Sequence, residues 1–79
     1  MKSISDLIPS QKGTVIKIEL PDKLKRRLFD LGLIEGTEIE CVETAPSGDP
    51  KAYLIRGAVI AVRKDEGKKI LLKEGSLWD

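Results

Sequence analysis

The chain has 79 residues, which predicts one domain, 1–79, too small for a deep active-site cleft. Its 14 basic and 13 acidic residues leave a net charge of +1, which excludes the basic surface typical of proteins that bind nucleic acid or anionic lipid. A single cysteine and the absence of an apolar run of about 20 residues predict a cytoplasmic protein with neither an internal disulfide nor direct membrane insertion. The sequence does not specify an oligomeric state.

A short turn and a strand are predicted at the start of the chain. Ser3 or Ser5 can cap the turn, and Pro9 ends it. Residues 14–19 follow as a strand, because apolar and charged side chains alternate there. The alternation predicts two inward-facing side chains in this strand, those of Ile16 and Ile18.

The stretch 20–36 predicts an amphipathic helix, around which the rest of the chain is expected to fold as a sheet. Leucines spaced by four and three residues share one helical face: Leu24, Leu28 and Leu31. Pro21 and Asp22 suit the first turn, where a missing N–H costs nothing and a carboxylate can accept from free N–H groups. Gly32 suits the left-handed residue after the helix, an ending in which Leu28 contacts Leu33.

Four more strands are predicted from alternation and from the turn residues between them, over 37–43, 51–55, 59–63 and 69–73. The inward-facing side chains expected in them are Ile39, Cys41, Ile60, Val62, Ile70 and Leu72. Alternation directs Tyr53, Ile55 and Leu71 to the opposite side. Five short strands with one helix after the first predict a mainly β fold, a small and partly open barrel.

Residues for catalysis or for a cofactor are not indicated. The chain has no histidine, which removes the commonest general base and transition-metal ligand. Cys41 is expected in the core and Ser47 in a turn, and neither has a partner base in the sequence. Glycine motifs that hold phosphates are missing. The acidic run at Glu38, Glu40 and Glu43 is expected to be a solvated strand face, with a weak cation site as the alternative. No catalytic residue, cofactor or dedicated metal site is therefore predicted.

Basic residues cluster on the predicted helix, at Lys23, Lys25, Arg26 and Arg27. They form either a solvated helix face or a docking patch for an acidic partner. Apolar residues also exceed what one small core readily covers, so some form an exposed patch or are covered by the N-terminal turn and by the tail with Leu77 and Trp78. The hypothesis is a partner-binding surface that includes Lys25, Arg26, Arg27, Leu33 and Ile34.

The order of these motifs resembles the FeoA family, small cytosolic proteins of bacterial ferrous-iron uptake. The segment 26–39 reads RRLFDLGLIEGTEI, and it is followed by PSGDP at 46–50 and AVR at 61–63. The resemblance implies an SH3-like β-barrel with the helix after the first strand. It also implies a non-enzymatic accessory of the FeoB-type ferrous-iron permease, a membrane protein with a cytosolic G domain. Gly67 stands where the family usually has alanine, so a looser turn is expected before the last strand, and the tail with Trp78 extends past the shared pattern.

Two other functions are compatible with such a domain. A related domain forms the C-terminus of metal-dependent repressors of the diphtheria-toxin-repressor type, which leaves a stand-alone regulatory role as the alternative. The chain has no helix-turn-helix segment with which to bind DNA by itself. A peptide-binding SH3 relative is disfavoured, because Phe29, Tyr53 and Trp78 are too scattered for an aromatic groove.

Overall fold

A computed structural model describes residues 2–73, which form one sheet of five antiparallel strands in the order β4-β3-β2-β1-β5. The strands are β1 Lys12–Ile18, β2 Glu38–Thr44, β3 Lys51–Ile55, β4 Ala58–Val62 and β5 Ile70–Leu72. The helices are a 3₁₀ turn Ile4–Asp6, the main helix α1 Asp22–Asp30 and a single turn α2 Lys64–Gly67. The mainly β class with one short α-helix after the first strand is confirmed. The expected tail contacts of Leu77 and Trp78 lie outside the described residues.

The core is formed by the sheet, the N-terminal turn and the loop after α1. Its members are Ile4, Leu7, Val15, Ile18, Leu33, Ile39, Cys41, Tyr53, Ile55, Val62, Ile70 and Leu72. The 3₁₀ turn is held against the sheet by Tyr53, whose hydroxyl donates a hydrogen bond of 2.9 Å to the carbonyl oxygen of Ile4. Burying the ring while pairing its polar end avoids the cost of an unsatisfied buried group.

A bulge in β1 changes which side chains of that strand face inward. The register against β5 shifts between Val15 and Lys17, and the extra residue turns the strand locally. Val15 is therefore fully buried, whereas Ile16 is 36% exposed. The expectation that Ile16 faces the core is wrong, and the same expectation for Ile18 is confirmed, since it is 5% exposed.

The expectation that Tyr53 and Ile55 of β3 face away from the core is also wrong. Tyr53 pairs with Cys41 and Ile55 pairs with Ile39 across the β2–β3 ladder. Directly paired residues lie on the same face of a sheet, so Tyr53 and Ile55 share the core with the inward side of β2 and are at most 1% exposed. Leu71, the third residue expected on the opposite side, is half-buried.

The end of α1 has the predicted geometry. Gly32 adopts a positive φ of 97°, and its N–H donates 2.9 Å to the carbonyl oxygen of Phe29. The N–H of Leu33 donates 2.9 Å to the carbonyl oxygen of Leu28. These two bonds define a Schellman ending, which satisfies carbonyl groups that a helix otherwise leaves unpaired.

The helix lies at the periphery of the fold, so the expectation that the sheet wraps around it is wrong. No residue of α1 is buried, and Leu28 packs against the core from outside. The apolar face of the helix is consequently only partly covered. Among residues 2–73, no helix has the length and apolar character that crossing a membrane requires.

The segment before β5 is tightly packed, contrary to the looser turn expected from Gly67. Residues 64–67 form the helical turn α2, and Gly67 is buried against the 3₁₀ turn. A Cβ atom on Gly67 would lie 2.6 Å from the Oγ atom of Ser5, whose hydroxyl donates 2.8 Å to the carbonyl oxygen of Lys64. The glycine therefore allows two backbone segments to approach closely.

Candidate interaction surfaces

The helical period divides the basic residues of α1 between two surfaces. Arg27 lies beside the leucine face of the helix, where it lines a groove toward β4. Lys25 lines a separate depression with Phe29 and Ile34, and Arg26 lies next to Phe29 on the outer side of the helix. Three acidic residues line the same two depressions: Asp22, Asp30 and Glu35. The sequence predicts one patch for these three cations, and the structure separates Arg27 from the other two.

The first surface combines an exposed aromatic ring with cations, and we call it the Phe29 face: Lys25, Arg26, Phe29 and Ile34. Phe29 is 62% exposed and Ile34 is 36% exposed. The reversal at Gly32 brings the two side chains together, because the chain turns back past the last turn of the helix. The N–H of Ile34 donates 3.1 Å to the Oγ1 atom of Thr37, which holds the loop in place.

Leu33 lines the same depression as Phe29 and Ile34, but it offers almost no accessible surface. It is 1% exposed and lies in the core, so the expectation of an exposed Leu33 is wrong. The other four residues of the predicted surface are exposed. The residue that sequence reasoning missed is Phe29, although a signal was available, because it follows Lys25 by four positions and shares its helical face.

The second surface is a groove between the leucine face of α1 and strand β4, which we call the α1–β4 groove. It encloses about 450 Å³. The helix contributes Leu24, Leu28 and Leu31, preceded by Leu20, and the opposite wall is formed by Ile60, Ala61 and Val62. Pro50, Arg27, Arg63 and Glu66 complete its lining, so the groove combines apolar residues with two cations and one anion.

The described residues offer little for reaction chemistry. Burial raises the pKa of the Cys41 thiol and the pKa of the Tyr53 phenol, so both side chains stay protonated near neutral pH. A buried, protonated thiol is a poor nucleophile. Within residues 2–73, no three histidine, cysteine or carboxylate side chains come together as a metal site would require.

Comparison with known proteins identifies relatives of the whole domain. The model of the FeoA domain family matches residues 2–74. The solution structure of a FeoA-like protein from Clostridium acetobutylicum is 37% identical, covers 90% of this chain and 83% of its own, and superimposes with a TM-score of 0.78. The crystal structure of Stenotrophomonas maltophilia FeoA in complex with zinc, described as an SH3 domain protein, is 26% identical. It covers 99% of this chain and 96% of its own, with a TM-score of 0.84. The SH3-like class of the fold is thus confirmed, although β4 and β5 do not pair to close the sheet.

A relative of different size links the domain to a transporter. The protein is described as a fusion of ferrous-iron transport protein A with the ferrous-iron transporter FeoB in Porphyromonas gingivalis. Over 67 residues it is 25% identical to this chain, and the match covers 85% of this chain. The chain spans only 8% of the length of that relative.

Proposed function

Since the chain belongs to the FeoA family, we propose that it is a non-enzymatic accessory protein of ferrous-iron transport that binds the cytosolic G domain of a FeoB-type permease. The family is linked to ferrous-iron transport. Binding to the G domain, the accessory role and a location in the cytoplasm are all parts of this proposal. The arrangement of the described residues supports a binding role, because it provides exposed apolar surfaces without a cluster of reactive groups.

The observation that carries the proposal is the fusion relative. In that protein, a segment similar to this chain shares one polypeptide with a FeoB transporter. Covalent linkage keeps two domains at a high effective concentration, which favours even a weak contact between them. A free-standing domain with the same role needs a contact surface that operates without the linkage.

The Phe29 face is the surface that we propose for this contact. A largely exposed phenylalanine on a helix is a suitable anchor, since aromatic residues at the centre of an interface supply much of the binding free energy. Lys25 and Arg26 border it and remain exposed. Cations at the rim of an interface chiefly accelerate the encounter with an acidic partner and make it sensitive to salt.

The test is isothermal titration of this protein with the purified G domain of its own organism's permease, at low and at physiological salt. We expect Phe29→Ser to weaken binding by about tenfold or more, because loss of a central aromatic anchor costs about 2 kcal/mol. Ile8→Ser is the matched control, since Ile8 is 58% exposed and lies outside the Phe29 face. It should bind like the parent.

Charge reversal tests the role of the cations separately. Arg26→Glu should lower the association rate and reduce the dependence of binding on salt. Parent-like binding by both Phe29→Ser and Arg26→Glu would exclude the Phe29 face as the interface. Failure of the parent protein to bind the G domain at either salt concentration would refute the proposed partner.

A further inference from the structure

The two edges of the sheet differ in how they are covered. At the β5 edge, Ser3 forms a bridge with Leu71, and the N–H of Leu72 donates 2.8 Å to the carbonyl oxygen of Lys2. The N-terminal segment thus covers this edge. At the other edge, β4 pairs with β3 alone among the described strands.

Strand β4 lacks the features by which proteins usually protect an exposed edge. Its sequence is AVIAV over residues 58–62, without a charge or a proline. Its register with β3 is continuous from Lys51↔Val62 to Ile55↔Ala58, so no bulge twists the edge away. Charges, prolines and bulges are the usual devices against unwanted strand pairing, and their absence leaves a regular edge available for another strand.

The register identifies which backbone groups point outward. Ile55 and Ala58 close a hairpin whose loop, Arg56 and Gly57, has φ angles of 48° and 85°. In a hairpin of this type the closing pair is hydrogen-bonded, and every second pair along the ladder repeats that pattern. The intervening residues of β4 therefore direct their N–H and C=O groups away from β3, and these residues are Val59 and Ala61.

The α1–β4 groove lies along this free edge. Ala61 and its neighbours Ile60 and Val62 form one wall, and the leucines of α1 form the other. A strand added to β4 would place alternate side chains into the groove, between Ile60 and Leu28, because side chains of a strand alternate between faces. The groove thus supplies both parts of strand recognition, free backbone groups and a place for alternate apolar side chains.

We propose that the α1–β4 groove binds an extended, acidic segment of a partner protein, which adds to β4 as a sixth strand. Apolar side chains at alternate positions occupy the groove, and carboxylates lie near Arg27 and Arg63. This surface is separate from the Phe29 face and goes beyond the proposed function, since it defines a second ligand by its backbone conformation and charge. It requires no aromatic groove of the kind that polyproline ligands need.

The charges favour a partner segment over a second copy of this chain. Antiparallel pairing of two β4 strands about Ile60 would set Arg63 of each copy opposite Gly57 of the other, next to Arg56. Arg56 would then lie diagonal to Arg63 of the other copy, and like charges this close repel each other. An acidic segment instead places carboxylates against these arginines.

The test uses the complete chain, labelled with ¹⁵N, and an eight-residue peptide with blocked ends that has glutamate at both ends and threonine alternating with valine between them, so that one glutamate shares the face of the valines. We expect the peptide to shift the amide signals of Val59 and Ala61 in NMR spectra and to slow exchange of their N–H protons with water. A peptide with lysine in place of glutamate is the charge control and should bind at least about tenfold more weakly. Absence of shifts at β4, or shifts confined to the Phe29 face, would overturn the proposal.

Variants test the outward-facing groups and the charge. Ala61→Pro removes an N–H that β3 does not use, so the fold should persist while peptide binding falls by about tenfold or more. Ala61→Thr retains the N–H and should bind like the parent. Arg27→Gln should weaken binding, whereas Arg26→Gln, on a different face of α1, should not.

Two further outcomes would contradict the proposal. One is parent-like peptide binding by both Ala61→Pro, after its fold has been checked, and Arg27→Gln. The other is a stable dimer of the parent in sedimentation experiments that Ala61→Pro abolishes, which would identify the second copy as the occupant. These readouts do not involve the permease, so their failure leaves the proposed function intact.

Discussion

Replacing Gly32 by valine tests how the helix end is specified. Gly32 has a φ of 97°, a conformation that costs L-amino acids about 1–2 kcal/mol and β-branched residues the most. A Cβ atom at this position would also lie 2.9 Å from the Cδ atom of Arg56. That side chain is exposed and flexible, so it can move, and the backbone conformation remains the main contribution.

The expected loss of unfolding free energy is therefore about 1–2 kcal/mol. With a urea dependence of about 1 kcal/mol per molar for a small domain, the midpoint of unfolding should fall by roughly 1–2 M. Gly32→Asn is the matched control, because asparagine tolerates left-handed conformations better, and its midpoint should fall by less.

The measurement is urea unfolding of the three proteins, followed by circular dichroism. An unchanged midpoint for Gly32→Val would refute the assignment of this glycine as the residue that ends the helix. An equal loss for valine and asparagine would show that side-chain crowding, rather than the backbone, determines the cost.

Three more predictions concern the core, the thiol and metal binding. Tyr53→Phe should lower the free energy of unfolding by about 1–3 kcal/mol, because the carbonyl oxygen of Ile4 loses its hydrogen-bond donor. Urea unfolding measures this loss. Burial raises the pKa of Tyr53 above its ordinary value of 10, so the phenol ionises more easily in the unfolded chain than in the folded protein. The stability that the buried phenol contributes is therefore complete below about pH 10 and is lost at higher pH. The free energy of unfolding should therefore fall more steeply above pH 10 in the parent than in Tyr53→Phe, and urea unfolding at a series of pH values measures the difference. Cys41, fully buried and with a raised pKa, should react with iodoacetamide only as fast as the protein opens; rapid alkylation of the folded protein at pH 8 would contradict its place in the core. Titration with ferrous iron or zinc should show no stoichiometric site of micromolar affinity, since the chain has no histidine and carboxylates alone are weak ligands for these ions.

Features of the fold that depend on local sequence were predicted correctly. Strand β3 occupies the predicted residues 51–55, and the Schellman ending at Gly32 follows from a glycine with leucines on both sides. The turn at Gly57 is likewise a local signal, since glycine accommodates a positive φ, although β4 begins at Ala58 and ends at Val62, one residue earlier at each end than the predicted strand 59–63. Each of these depends on a few consecutive residues.

Features that depend on strand pairing could not be read from alternation. Alternation shows that Tyr53 and Ile55 share a face, but only the register against β2 shows that it is the core face. The bulge beside Val15 shifts the inward positions of β1 by one residue. Similarly, the exposed position of Phe29 results from the tertiary placement of α1, and the free edge at Ala61 results from the order of the strands in the sheet.

Ferrous-iron uptake by cells tests the proposed function most directly. Cells that lack this gene are supplied with the parent, Phe29→Ser or Ile8→Ser, each produced at equal level, and radiolabelled ferrous iron is measured in the cells under anaerobic conditions. We expect the parent and Ile8→Ser to restore uptake, and Phe29→Ser to leave it close to that of the deletion strain. Unchanged uptake after deletion of the gene, or full restoration by Phe29→Ser, would contradict a transport accessory that acts through the Phe29 face.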